Sequence, residues 1–168
     1  MRSSIFIAIL LSALSLNVQG QEKKHAISGR VGLSSGIAYQ MMVDDFRGYK
    51  GMMSFRDGGI QITALIESYR PMYLKFTDKM NYYMGMGAHI GFTRWAPRRG
   101  LYPNPFYYSS SGSFAPVIGL DAIFGIEYRL DRVPLSFSLD AKPFFELFGH
   151  TIFRLSLFDI GLSIKVHF

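Results

Sequence analysis

Phe114-Ala115-Pro116-Val117-Ile118-Gly119-Leu120-Asp121-Ala122-Ile123-Phe124-Gly125-Ile126-Glu127-Tyr128-Arg129-Leu130 is the stretch that decides the fold class. Its even positions, from Phe114 to Leu130, are apolar without exception. Its odd positions are small, polar or charged, with Val117 and Ile123 the only large apolar residues among them. A period of two places alternate side chains on opposite faces of a β-strand, and only a strand lays all the even positions on one side.

The same period fills the rest of the chain. Tyr82, Met84, Met86, Ala88, Ile90 and Phe92 share one face, against Tyr83, Gly85, Gly87, His89, Gly91 and Thr93. From Leu135 to Leu147 the odd positions are apolar, opposite Ser136, Ser138, Asp140, Lys142, Phe144 and Glu146. Phe158 to Phe168 alternates in the same way, as do Ile60 to Glu67 and Ile27 to Val43. Turns are expected at Ser34-Ser35-Gly36, at Thr77-Asp78-Lys79, at Asp131-Arg132-Val133-Pro134, and across Asp57-Gly58-Gly59, where the phase of the pattern flips. A second flip, between Leu157 and Phe158, predicts a bulge or a hairpin shoulder. One connection is long, roughly Ala96 to Ser113. Four long strands follow residue 80, and 27–76 supplies either two very long strands or four short ones; of the resulting counts of six and eight antiparallel strands, eight is preferred, because six leave almost no interior.

Composition narrows the class. The 168 residues include 15 % aromatics and 17 glycines but only 18 % charged residues, which is not the make-up of a disordered tail. The length suits one domain. With no cysteine there is no disulfide scaffold, no thiolate metal site and no thiol catalysis. The first twenty residues follow other rules. Arg2 precedes an apolar run from Ile5 to Leu16, and Val18-Gln19-Gly20 offers a cleavage site, the layout of a secretory signal peptide. The expected organisation is a signal peptide over 1–20 and a barrel over 21–168. Cleavage there removes one base and no acid, lowering the net charge from +6 to +5. No later segment has the 18 or more apolar residues of a transmembrane helix.

Side-chain size indicates which face of the sheet looks outward. An eight-stranded barrel has an interior just filled by ordinary side chains. Tyr82, Met84, Met86, Ile90 and Phe92, repeated on every strand, would overfill it, whereas the face with Gly85, Gly87, Gly91, Gly119, Gly125 and Gly161 fits. The large apolar face therefore points to lipid. The expected fold is all-β, an antiparallel up-and-down transmembrane β-barrel of about eight strands, closed because backbone groups in lipid must pair. The terminal Phe168 ends an alternating strand, which resembles the signature that the outer-membrane barrel-assembly machinery recognises.

Ser54-Phe55-Arg56-Asp57-Gly58-Gly59 running into Ile60 to Glu67, then Tyr82 to Phe92, resemble small outer-membrane β-barrel proteins of the Bacteroidota. Ile118-Gly119-Leu120-Asp121 through Glu127-Tyr128, followed by the Pro134 strand, is similar too. The likeness covers most of the chain after residue 20. It implies an outer-membrane location and says little about activity.

Three groups of residues are candidates for chemistry. The inward face carries Glu67, His89, Asp121, Glu127, Arg129, Asp140, Lys142 and Glu146, with Arg30, Asp159 and Lys165. Nearly balanced charge favours a salt-bridged filling over a catalytic carboxylate pair or a permeation path. His89, His150 and His167 include no His-x-Ser and no metal-ligand spacing; His150, with the serines between 109 and 113, is the nearest approach to a hydrolytic site. Arg94, Arg98 and Arg99, with Trp95, Tyr102, Phe106, Tyr107 and Tyr108, form a basic aromatic loop suited to lipopolysaccharide phosphates or to headgroup anchoring. Export excludes nucleic acid as its partner.

The expectation is a non-enzymatic outer-membrane barrel without cofactor or metal. Its role would be structural or a surface interaction with an extracellular partner through the loop at about 96–113. A lipid A-modifying enzyme (acyl hydrolase or acyltransferase) and a narrow pore are the alternatives.

Overall fold

A computed structural model describes residues 24–74, 77–94, 114–130, 133–149 and 151–168. It contains ten strands: β1 (His25–Gly32), β2 (Ser35–Met42), β3 (Arg47–Arg56), β4 (Gly59–Leu74), β5 (Thr77–Thr93), β6 (Ala115–Arg129), β7 (Leu135–Ala141), β8 (Phe144–Phe148), β9 (Phe153–Ser156) and β10 (Ile160–His167). Among the described residues there is no helix. β7 and β8 form one stave interrupted at Lys142-Pro143, and both pair with β6. β9 and β10 form the stave beside it. Neighbouring staves are antiparallel throughout, and β1 pairs with β10, so eight staves close into a barrel. At the seam His25 and Phe168 exchange backbone hydrogen bonds of 3.2 and 2.9 Å.

The stagger follows from the ladder. From Asn81 on β5, successive partners are Glu127, Ser138, Ser163, Arg30, Gly36, Ser54 and Gln61, and the path returns to β5 at Gly91, ten residues on. A shift of ten over eight strands tilts them by about 40° from the barrel axis and leaves a lumen of side-chain width.

Local sequence explains the joints. Asp57 and Gly58 both have positive φ, 51° and 69°, which makes Arg56–Gly59 the two-residue primed turn whose twist matches a hairpin. Phe144 faces Ser156 while Ala141 faces Ile160, so one stave carries an extra residue at Leu157-Phe158; the phase flip there is a bulge. Thr77, Asp78 and Lys79 are not a turn. They begin β5, with Leu74 opposite Thr77, and the connection falls at 75–76. The polar trio reads as a turn because β4 and β5 run past the ends of β3 and β6 there, paired only with each other.

Burial is inverted relative to a water-soluble domain. Among the described residues, 23 polar or charged residues are buried against ten apolar ones, while 40 large apolar side chains are exposed. The buried apolar cluster is Leu65, Tyr69, Tyr83 and Ile123. Two clefts of about 900 and 740 Å³ lie on the outer wall, beside side chains such as Met86 and Leu120 or Phe137 and Leu162.

Candidate functional site

The inward faces of most strands carry charge, β2 with Gln40 being an exception, and closure of the barrel sorts these charges into two networks. One lies towards the near end, where His25 and Phe168 meet; the other reaches the far end, at Asp57. The Tyr69–Tyr83 stack, with ring centroids 5.1 Å apart, stands at their junction with Leu65 and Ile123.

In the near network Lys165 Nζ donates to Glu127 Oε2, to Gln40 Oε1 at 3.2 Å and to the Tyr69 hydroxyl at 3.0 Å. Tyr69 donates to Glu67 Oε2 at 2.7 Å, and Lys50 Nζ donates to Glu67 Oε1 at 3.0 Å. Arg129 Nε donates to Glu127 Oε1 at 2.8 Å. Arg129 shares the interior parity, yet its side chain is 46 % exposed because it stands at the mouth.

The far network is longer. Tyr83 donates to Asp140 Oδ2 at 3.2 Å, and Arg30 donates through Nε and Nη2 to Asp140 Oδ1 at 2.9 and 2.7 Å. Arg30 Nη1 also reaches Asp159 Oδ1 at 3.1 Å and the Ser34 carbonyl at 2.6 Å. Lys142 Nζ lies 2.8 Å from Asp121 Oδ1 and 3.9 Å from Asp159 Oδ2. His89 bridges two carboxylates, Asp121 through Nδ1 at 2.6 Å and Glu146 through Nε2 at 3.0 Å. Arg56 and Gln61 then donate to Glu146 Oε1, and Arg154 links Glu146 with Asp57.

Large inward side chains fit because a glycine faces them. Any Cβ at Gly119 would meet the His89 ring, one at Gly125 the Tyr83 phenol, and one at Gly161 the Arg30 guanidinium. Phe144 is the aromatic counterpart, with the Arg56 guanidinium 3.7 Å above its ring and Arg154 at 5.3 Å. That π-face covers Arg56, whose Nε and Nη1 have no hydrogen-bond partner.

The sequence-predicted residues are therefore distributed rather than collected. Parity suggests Asp121, Glu127 and Arg129 beside Asp140 and Lys142. The structure joins Asp121 to Lys142 and His89, but gives Glu127 to Lys165 and Asp140 to Arg30. Lys50, Arg56 and Arg154 belong to the networks and went unread. The signal for the first two was the parity of β3, weakened because methionine and glycine fall on both of its faces. Arg94 sits one residue past β5, its guanidinium 5.9 Å from the Phe114 ring. Arg98, Arg99, the rest of the 96–113 loop, His150 and residues 1–20 lie outside the described residues.

Chemically the arrangement neutralises itself. His89 is 1 % exposed and both its ring nitrogens are engaged, so neither is open to a substrate. Among the described residues no group of three His, Asp or Glu could hold a metal ion. Comparison with protein-family models, with curated proteins and with solved structures returns no match, so the likeness to small Bacteroidota barrels rests on its residues alone.

Proposed function

We propose that the chain is an exported outer-membrane β-barrel of the small Bacteroidota type. Its role would be non-enzymatic, structural or in surface interaction, through the long connection at 96–113. The inverted burial carries this reading: a wall of exposed Ile, Leu, Met and Phe around a charged filling suits lipid and not water. Outward strand positions between Arg47 and Arg70 at the near end and Arg94 at the far end hold no charged residue. Tyr39, Tyr49, Tyr82 and Tyr128 lie towards the near limit of this band, and Phe55, Phe92, Phe114 and Phe153 towards the far limit, in the manner of interfacial girdles. Ten residues separate Tyr82 from Phe92. At about 3.3 Å per residue and a tilt near 40° this spans about 25 Å, the height of a barrel's apolar band.

The further assignments follow this reading. Residues 1–20 direct export, Phe168 engages the assembly machinery, and Arg94, Arg98 and Arg99 meet lipopolysaccharide phosphates. The packed, paired interior speaks against the narrow pore, and the doubly engaged His89 against a lipid A-modifying centre there.

The test is heat-modifiable migration of protein from outer-membrane fractions, followed by reconstitution in planar bilayers. A shift on boiling with no steady conductance is expected. A protein that fractionates as a soluble periplasmic species, with no shift, would overturn the membrane reading. Sustained current would overturn the closed one.

A further inference from the structure

Buried polar atoms in folded chains are nearly always paired, so a cluster of exceptions carries information. Among the described residues six buried side-chain atoms have no hydrogen-bond partner, and five of them sit on one hairpin: Ser54 Oγ, Arg56 Nε and Nη1, Gln61 Oε1 and Thr63 Oγ1. The tight turn at Asp57-Gly58 brings them together. Ser54 faces Gln61 across the β3–β4 ladder, with Arg56 two residues beyond the one and Thr63 two residues beyond the other. All four are inward, and Ser54, Gln61 and Thr63 are wholly buried. The same ladder row continues to Gly36 on β2 and to Gly91 on β5, so only Gln61 puts a long side chain into it.

Neighbouring side chains do not serve these atoms. His89, the ladder partner of Thr63, spends both ring nitrogens on Asp121 and Glu146. Gln61 spends Nε2 on Glu146 Oε1 at 3.1 Å, an oxygen it shares with His89 and Arg56. That bond fixes which end of the Gln61 amide is left over. The next inward residue of β4 is Leu65, part of the apolar cluster, so the unpaired atoms end at that layer. A buried hydroxyl or amide oxygen left without any partner is costly, and a small polar ligand removes the cost.

We propose that the inner wall of the β3–β4 hairpin binds ordered water, with Ser54, Gln61 and Thr63 as its ligands. The two hydroxyls donate to it and it donates to Gln61 Oε1, a set of partners typical of a buried water. The three ligands are neutral and combine donors with an acceptor, which suits a molecule able to do both. A cation would meet the Arg56 guanidinium, and an anion would meet Gln61 Oε1 and the Glu146 carboxylate beside it. The role is one of positioning. Water on Oε1 holds the Gln61 amide with Nε2 towards Glu146, the carboxylate on which Gln61, His89 and Arg56 converge. The assignment concerns the lumen alone and does not depend on whether the outer wall meets lipid.

The test is water–protein cross-relaxation NMR on the full chain in detergent micelles, read at the Thr63 methyl and the Gln61 side-chain amide. Both should show cross-peaks to water with the sign of a long-lived bound molecule. Thr63→Val, which keeps the shape and removes the hydroxyl, should weaken the cross-peak at Gln61 and lower the denaturant midpoint. Thr63→Ser, which keeps the hydroxyl, should retain the cross-peak. A hydroxyl that is merely unpaired predicts the opposite, since replacing it with a methyl group then relieves a penalty. Absence of the cross-peaks in the unaltered chain therefore overturns the proposal, as does a midpoint that is raised or unchanged in Thr63→Val. A midpoint that falls when chloride is exchanged for sulfate at constant ionic strength, with broadening of the chloride resonance by the protein, would assign the site to an anion and overturn it as well.

Discussion

The phenol of Tyr83 lies over Gly125, its ladder partner on the adjacent strand, in the space that any side chain there would need. From that position Tyr83 donates to Asp140 and stacks on Tyr69. The glycine is thus half of an aromatic site. Gly125→Ala should destabilise the barrel by about 1–3 kcal/mol through overpacking. Denaturant midpoints in detergent would measure it. Combining it with Tyr83→Leu should cost less than the sum of the two single changes, and strict additivity would sink the account.

Lys165 and Glu127 form a buried pair with side chains 1 % and 0 % exposed. Removing one partner strands the other, so Lys165→Met should cost about 3–5 kcal/mol, and adding Glu127→Gln should recover part of it. A double variant no better than Lys165→Met would show that Arg129 already absorbs the loose charge of Glu127.

Asp44 lies in the β2–β3 turn, outside the barrel wall. Its carboxylate is held below the usual range, first by the Phe46 N–H, then by the Arg47 side chain. Its Oδ1 accepts from Phe46 at 2.9 Å and from Arg47 at 2.7 Å. A depressed folded value means that the contribution is present above the unfolded pKa and is lost as pH falls through the folded one. The amide shifts of Phe46 and Arg47 should therefore move together in an acid titration, with a midpoint below that of an unfolded aspartate. In Asp44→Asn that titration should disappear.

Gly58 has φ of 69° at the second centre of the β3–β4 turn. Gly58→Ala should cost about 1 kcal/mol, the strain of a side chain in the left-handed region. Hairpin exchange rates around Arg56 and Gly59 would report it, and an unchanged rate would show that the turn relaxes.

Much of this architecture could be read from the sequence, for a specific reason. In β6 the period of two assigns each side chain from Phe114 to Leu130 to a face without reference to anything distant, and the burial pattern follows it residue by residue until Arg129 reaches the mouth. Partner choice is another matter. Arg30 faces Asp140 and Asp159 only because ten residues of stagger bring them level, and a single strand does not record that number. β3 fails for a local reason: Gly48 and Gly51, Met52 and Met53 put the same residue types on both faces, so Lys50 and Arg56 lose the contrast that would have marked them as inward.

Arg30 also constrains the order of events during biosynthesis. Its carboxylate partners lie 110 and 129 residues further along the chain. Lys165, in the last strand, similarly reaches back 125 residues to Gln40. A chain interrupted before β10 would keep both of these carboxylates but lack Lys165, leaving Glu127 without that partner and β1 with nothing to close against. The interior charges thus act as a completeness check, in which the buried acid of β6 is fully compensated only once β10 has been made.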